Sequence, residues 1–395
     1  MRILFLTFYY PPDVCACAFR AHPLVQSLQK HGPEDLHIEV LTTMPHRYSS
    51  FDAEARPLEE EKGLVVRRFA IPEHQGGMVD QSRSFLSYRR QVLRAVRGQQ
   101  WDLILATSSR LMTAALGAQV ARRHGAPLYL DIRDLLTDIL DDLLGSVVAG
   151  VAGPILKVVE KRAFTAADRI NLVSAGFDDH MEEIVGHSSF GHFTNGIDDT
   201  FLTWSPRPRK SGDHPLTVLY AGNIGEGQGL HRVVPQAALA LAGEAQFRII
   251  GDGGRRGALE EEVKRLGVEN VQILDPMPRS ELLAHYESCD ALLLHLNDYQ
   301  AFRKVLPSKV FEYGASGRPI LAGVAGFAAQ FVRSELPDSF VFQPCDSAAL
   351  VEGVRALRGG AAAPDRSEFR QRFARTRIMD ELAQDILRTA EGTNA

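Results

Sequence analysis

The chain has 395 residues, too many for one ordinary core, so two domains are expected. Hydrophobic residues make up 45% and charged residues 24%, the balance of a water-soluble globular protein. A net charge of −5 argues against a dedicated nucleic-acid binder, and four scattered cysteines exclude a disulfide framework and fit a reducing cytosol.

The N-terminal "MRILFL" runs straight into a strand pattern without the charged, apolar and small-residue zones of a signal peptide, so export is not expected. No run of about 18 uninterrupted apolar residues occurs, so no bilayer span is expected. Short apolar runs predict strands over 3–8, 37–42, 65–71, 103–107, 128–132 and 170–174, with helix-length segments such as 111–124 between them. Continuous apolar strands alternating with helices imply parallel sheets covered on both faces.

Between the first strand and the first helix lies "PPDVCACAFR". A structural zinc site needs about four ligands, usually in two paired clusters. Cys15 and Cys17 have no second pair, so they read as small packing residues in a tight turn, with Arg20 one helical turn beyond. The segment 135–164 is unusually apolar, broken by Asp138, Asp141 and Asp142 and closed by Lys157, Lys161 and Arg162. Two readings stay open: helices on a membrane surface, or core helices on a sheet.

The proline- and charge-rich "DDTFLTWSPRPRKSGDHP" at 198–215 reads as the domain linker. The alternation then restarts with "LTVLYAG", "QFRIIGDGG", "NVQILD", "DALLLHL", "RPILAG" and "SFVFQP", with helices expected over 231–241 and 256–266 and one or two amphipathic helices over 367–389. Two doubly wound α/β domains facing a cleft are expected, because such sheets bind ligands at their strand C-terminal ends.

Four loops of the second half carry chemistry. In "YAGNIGEGQGL", Gly222 and Gly225 allow close backbone approach, and a helix N-terminus follows. "GDGGRR", opening at Gly251, repeats the strand–glycine–helix pattern but lacks the acidic residue of the dinucleotide fingerprint, which disfavours hydride transfer. In "DPMPRSEL", Pro276 and Met277 form a stiff turn suited to bracketing a flat base. "AFRKVLPSKVFEYGASGRPIL" sets Arg303, Lys304, Lys309 and Arg318 against Glu312. Pro307 and Ser308 mark a helix start, so Lys309 falls in the first turn, where a cation opposes the helix dipole unless an anion docks there. Glu312, one turn on, is placed to accept ribose hydroxyls.

Taken in order, "FYYPPDVCACAFRAHPLVQSL", "DIRDLLTD", "ADRINLVSAGF", "TNGID", "YAGNIGEGQGL" and "PSKVFEYGASGRPIL" resemble the GT-B glycosyltransferases of retaining family 4 over nearly the full length. Within that family the chain is most similar to bacterial O-antigen, capsule and exopolysaccharide transferases using UDP-N-acetyl-hexosamines, including the N-acetylfucosamine type. The resemblance implies a first domain over 1–200, a nucleotide-sugar domain over 201–375, and a helix over 376–395 returning to the first domain. The second glutamate of the family's Glu-x7-Glu motif falls at Glu312; the first falls at Lys304. An arginine and a lysine that hold the diphosphate in many members are Asn223 and Gln228 here.

The donor site implied therefore comprises Gly222, Asn223, Gly225, Gln228, Gly251, Pro276, Met277, Lys304, Ser308, Lys309 and Glu312, with Arg20 supplied by the first domain. Lys309 would stabilise the leaving diphosphate, and Asp134 is the candidate near the acceptor; His46, Arg47 and Arg133 lie on the acceptor side. No cofactor and no metal is expected, since cations and dipoles hold the leaving group. The expected partners are a UDP-sugar, a lipid-linked or oligosaccharide acceptor and a membrane surface, with the protein in the cytoplasm or at the inner face of the cytoplasmic membrane. A nonhydrolysing UDP-sugar 2-epimerase and a catalytically silent sugar-nucleotide-binding subunit are the competing readings.

Overall fold

The computed structural model describes residues 1–13, 15–45, 55–72, 78–108, 110–135, 146–187, 189–204, 214–359 and 364–392. They form two units, Met1–Asn195 with Arg375–Ala395, and Gly196–Ala374.

The first unit runs β1 (Arg2–Leu6), α1 (Ala16–His31), β2 (His37–Thr43), β3 (Leu58–Glu61), β4 (Leu64–Phe69), α2 (Met78–Ala95), β5 (Leu103–Ser108), α3 (Leu111–His124), β6 (Leu128–Ile132), α4 (Ser146–Phe164), β7 (Arg169–Leu172) and α5 (Asp178–Val185). Its sheet order is β3-β4-β2-β1-β5-β6-β7. Every neighbouring pair is parallel except the β3–β4 hairpin. β5 and β6 are buried at every position, as strands covered on both faces must be. The sequence pattern misses β3, whose "LEEE" has no apolar alternation; pairing with β4 across a turn at Gly63 (φ 74°) makes it a strand.

The second unit runs α6 (Asp199–Leu202), β8 (Leu216–Ala221), α7 (Leu230–Ala240), β9 (Ala245–Ile250), α8 (Arg256–Leu266), β10 (Val271–Leu274), α9 (Arg279–Ser288), β11 (Ala291–His295), α10 (Lys309–Ser316), β12 (Ile320–Gly323), α11 (Gly326–Glu335), β13 (Phe340–Phe342), α12 (Ser347–Ala356) and α13 (Ser367–Arg372). Its six strands are all parallel, in the order β10-β9-β8-β11-β12-β13. Val218, Tyr220, Phe247, Ile249 and Leu293 pack with Val233, Val234 and Ala237 of α7 in its core.

The chain crosses between units after Asn195 and after Ala374, not within the proline-rich stretch; residues 205–213 of that stretch lie outside the described ones. The last helix, α14 (Arg375–Ala390), packs on α1 in the first unit. Lys30 pairs with Asp380 at 2.6 Å, and Asp385 accepts from Tyr129 Oη at 2.7 Å and from Arg169 Nε at 3.1 Å. Among the described residues no helix is long and apolar enough to cross a membrane. Of the apolar segment 135–164, residues 136–145 lie outside the described ones, and Ser146–Phe164 form α4.

Candidate functional site

In the second sheet the chain steps outward from β8 to β10, then returns to the other side of β8 for β11, β12 and β13. The order reverses between β8 and β11, and open parallel sheets bind ligands at the strand C-termini beside such a reversal. The loop after β8 carries Gly222, Asn223, Gly225 and Gln228 to this point.

Two glycines explain how closely the loops nest. Gly222 has φ 153°, and a Cβ there would lie 2.2 Å from Lys309 Cε and 3.2 Å from Lys309 Nζ. Gly251, after β9, has φ 147°, and its Cβ would fall 1.8 Å from the Gly222 carbonyl oxygen. Neither position admits a side chain.

Lys309 is the first residue of α10, so its ammonium lies beside the helix N-terminus and across the end of β8. Tyr313, one turn along, fixes that placement: its buried hydroxyl accepts from Ala221 N at 3.2 Å, and Lys309 Nζ lies 5.9 Å from its ring centroid. Among the described residues no carboxylate pairs with Lys309. Ser308 precedes the helix in αR conformation, its side chain making no cap bond, and Glu312 is half-buried on the same helix. Lys304 follows the short 3-10 turn Gln300–Arg303 and is half-buried.

The basic stretch is less basic than its sequence suggests. Arg318 is buried and donates to the Tyr286 and Glu287 carbonyls, and Arg303 pairs with Asp298 at 3.4 Å. Asn223 and Gln228 bond each other: Asn223 Nδ2 donates to Gln228 Oε1 at 2.8 Å, and Gly225 N donates to the same oxygen at 3.2 Å. Pro276 and Met277 sit on the loop after β10; Asp275 beside them accepts from Arg256 at 2.6 Å, and Arg256 also donates to the Gly251 carbonyl.

Behind these residues lies a polar network that sequence reading missed. Glu226 accepts from Tyr299 Oη at 2.6 Å and from Asn297 Nδ2 at 3.3 Å, and it pairs with Arg255. The Tyr299 hydroxyl, with Arg255, holds its carboxyl below the usual range. Asn297, buried after β11, also donates to the Glu226 carbonyl and accepts from Arg232 at 2.7 Å. His295 Nε2 accepts from Cys345 N at 2.9 Å, so Nδ1 carries the proton and donates to the Gln228 carbonyl at 2.6 Å. Burial pushes the His295 pKa down to about 4. The only signal in sequence is "HLND" at the end of an apolar strand.

In the first unit the reversal falls between β1 and β5. Arg20 lies near it but is not a free cation. Its side chain is 2% exposed, and its Nε and Nη2 each meet an Asp131 carboxylate oxygen at 3.0 Å. It also donates to the Thr194 and Phe193 carbonyls. The expected donor contact from Arg20 gives way to a buried internal pair. Arg133 is likewise buried, donating to the Asn195 side chain at 2.9 Å and the Ala16 carbonyl at 3.1 Å, which stiffens the Cys-x-Cys loop. A hydrogen bond with Cys17, with burial, pushes the Cys15 thiol well up, so it stays protonated. Among the described residues no group of three or more His, Cys, Asp or Glu is set to hold a metal. Asp134 is exposed just after Arg133, and His46 and Arg47 lie outside the described residues. Arg110, which sequence reading passed over, follows β5, bonds Tyr9 Oη at 2.9 Å and covers the Phe8 ring at 4.4 Å.

Residues 17–189 match the glycosyl transferase 4-like domain, and residues 205–374 match the glycosyl transferases group 1 family. The chain is a group 1 glycosyltransferase of GT-B fold. The putative colanic acid biosynthesis glycosyl transferase WcaI of Escherichia coli K12 is 24% identical to this glycosyltransferase, covering 90% of the chain and 91% of WcaI. Anabaena HepE in complex with UDP-glucose superposes with a TM-score of 0.70 at 18% identity, covering 99% of this chain and 100% of HepE. The UDP-GlcNAc 2-epimerase of Neisseria meningitidis shares the fold at a TM-score of 0.58 and 11% identity, over 98% of this chain and 100% of the epimerase. The fold is thus common to both chemistries, and the family matches select the transferase.

Proposed function

We propose that this glycosyltransferase moves a sugar, an N-acetylated hexosamine, from a UDP-sugar to a lipid-linked or oligosaccharide acceptor in surface-polysaccharide assembly, with retention and with peripheral contact to the membrane. The observation that carries the reading is Lys309. It is an ammonium without a carboxylate partner among the described residues, laid across Gly222 at the strand-order reversal and beside a helix N-terminus. Helix dipole and ammonium together favour an anion, and a diphosphate leaving group is the anion such a transferase must stabilise. Glu312 then faces the ribose hydroxyls, and the Gly222–Gly225 backbone lies along the nucleotide. UDP-glucose in HepE and the colanic acid role in the name of WcaI support the donor and pathway classes. No metal is needed in this reading, because Lys309 and backbone N–H groups supply the positive charge.

The test is incubation with a panel of UDP- and GDP-sugars, following nucleotide release and sugar products. UDP release with a UDP-N-acetyl-hexosamine, reduced at least about tenfold in Lys309→Ala, is expected for a contact of about 1.5–3 kcal/mol. Glu312→Ala is expected mainly to weaken UDP binding. Epimerised donor would favour the 2-epimerase, and UDP binding without turnover, acceptor supplied, a silent subunit. Unchanged UDP affinity in both variants would remove the site assignment.

A further inference from the structure

The two helical layers of the first unit differ in charge. On the layer formed by α1 and α14, cations meet carboxylates: Lys30 with Asp380, Arg377 with Glu381, and Arg388 with Asp385. The layer of α2, α3 and α4, in which α3 packs against both neighbours, has no such balance. Along α2 and the turn beyond it, Arg83, Leu86, Arg90, Arg94 and Arg97 are exposed. Steps of three, four and seven residues put them on one stripe of the helix. Arg122 and Arg123 are exposed at the end of α3, and Lys157, Lys161 and Arg162 on α4.

The carboxylates of these helices do not offset them. Asp80 is exposed at the start of α2, whereas Glu160 is buried and lies 3.5 Å from His180. Among the described residues none of Arg83, Arg90, Arg94, Arg97, Arg122 and Arg123 has a side-chain acceptor. Large apolar side chains stand among the cations: Leu86 is 46% exposed, Ile155 64% and Val158 50%. The basic cluster contrasts with a chain whose net charge is −5.

We propose that the α2–α3–α4 face docks on an anionic lipid bilayer, its arginines and lysines at the headgroups and Leu86, Ile155 and Val158 entering the headgroup–acyl boundary. Charge complementarity selects the occupant: cations without partners, mixed with isolated apolar side chains, suit a surface that is anionic outside and apolar within. A soluble polyanion would use the cations and leave the apolar side chains without a role. The proposal deepens the peripheral contact proposed above by naming the surface, and it locates that surface on three helices rather than on the 135–164 segment alone. It does not depend on the donor site.

The test is co-sedimentation of the full chain with phosphatidylcholine vesicles, with and without about three-tenths phosphatidylglycerol, at low and high salt. Binding to the anionic vesicles alone, reduced at high salt, is expected. The triple variant Arg83→Glu, Arg90→Glu, Arg94→Glu should bind at least about tenfold less, and Leu86→Ser with Ile155→Ser and Val158→Ser should remove the binding that survives high salt. UDP affinity serves as the folding control, because none of these residues belongs to the donor site. Three results would overturn the proposal: no binding to anionic vesicles, equal binding by the arginine variant, or heparin binding that depends on the arginines while the serine variant sediments with vesicles as before. Loss of UDP binding in the unsubstituted chain would instead count against the donor site and leave this face untouched.

Discussion

The two sheets share a strand plan, a reversal beside the first strand of each unit, yet they use charge at that reversal in opposite ways. In the first unit the cations are spent internally. Arg20 is locked to Asp131, Arg133 to Asn195 and the Ala16 carbonyl, and Arg110 to Tyr9 and Phe8. In the second unit Lys309 is held in place by packing on Gly222 and Tyr313 while its ammonium keeps no carboxylate partner among the described residues. A cation satisfied by a buried carboxylate braces a loop, and a cation positioned by a neutral scaffold is available to an anionic ligand. Topology alone would treat the two reversals as equivalent.

The strongest way to break this contrast is to remove Arg20. Asp131 is 2% exposed and would keep two uncharged hydrogen-bond partners, Asn171 Nδ2 at 2.7 Å and Thr107 Oγ1 at 3.4 Å, with the Arg133 guanidinium acting on it through its field alone. Leaving a buried charge without its counter-ion costs about 3–5 kcal/mol. Arg20→Ala should therefore lower the urea midpoint of the first unit markedly, with UDP affinity unchanged wherever the chain remains folded. Wild-type stability together with lost UDP affinity would show that Arg20 serves the ligand and that the two reversals are alike.

His295 offers the next largest effect, and it belongs to the second unit's scaffold. Its folded pKa of about 4 lies below the ordinary value of 6.5, so the unfolded chain takes up a proton first as pH falls. Stability is therefore full above pH 6.5 and declines as pH drops toward 4, by up to about 3 kcal/mol from this group. In His295→Gln the fall in unfolding midpoint over that window should be shallower. An equally steep fall would mean that groups other than His295 dominate the loss of stability in acid.

How much of this could be read from sequence follows from what each feature depends on. The strand at 128–132 and the helices at 111–124 and 256–266 coincide with β6, α3 and α8, because burial on a sheet or a Gly-terminated helical period is written locally. The placement of Lys309 and Glu312 one turn apart on a helix with a marked start was legible for the same reason, while their part in donor binding belongs to the proposal. Arg20 was not, because Asp131 lies 111 positions away and no local pattern announces the pair. Arg318 looks like part of a basic patch until its carbonyl partners on α9 are known, and Glu226, Asn297 and Tyr299 meet only through the fold. Long-range polar pairing is what the sequence conceals.

The smallest effect probes the loop most directly. Asn223 and Gln228 occupy positions where the resembled family often carries cations, and here they close the loop on each other through Gln228 Oε1. Asn223→Arg with Gln228→Lys adds two charges to the loop that opens at Gly222, where Lys309 packs, but takes away the acceptor of Gly225 N. Solvent-exposed charge pairs contribute about 0–1 kcal/mol, so UDP should bind up to about fivefold more tightly. Uridine, which lacks the diphosphate, should bind as before, and the ratio of the two affinities isolates the charge. An unchanged ratio would mean that this loop does not face the diphosphate. In that case the charge contrast between the two reversals would rest on Lys309 alone. A raised ratio would show that the second unit's reversal has room for more positive charge than this chain supplies, as expected of a site built around an external anion.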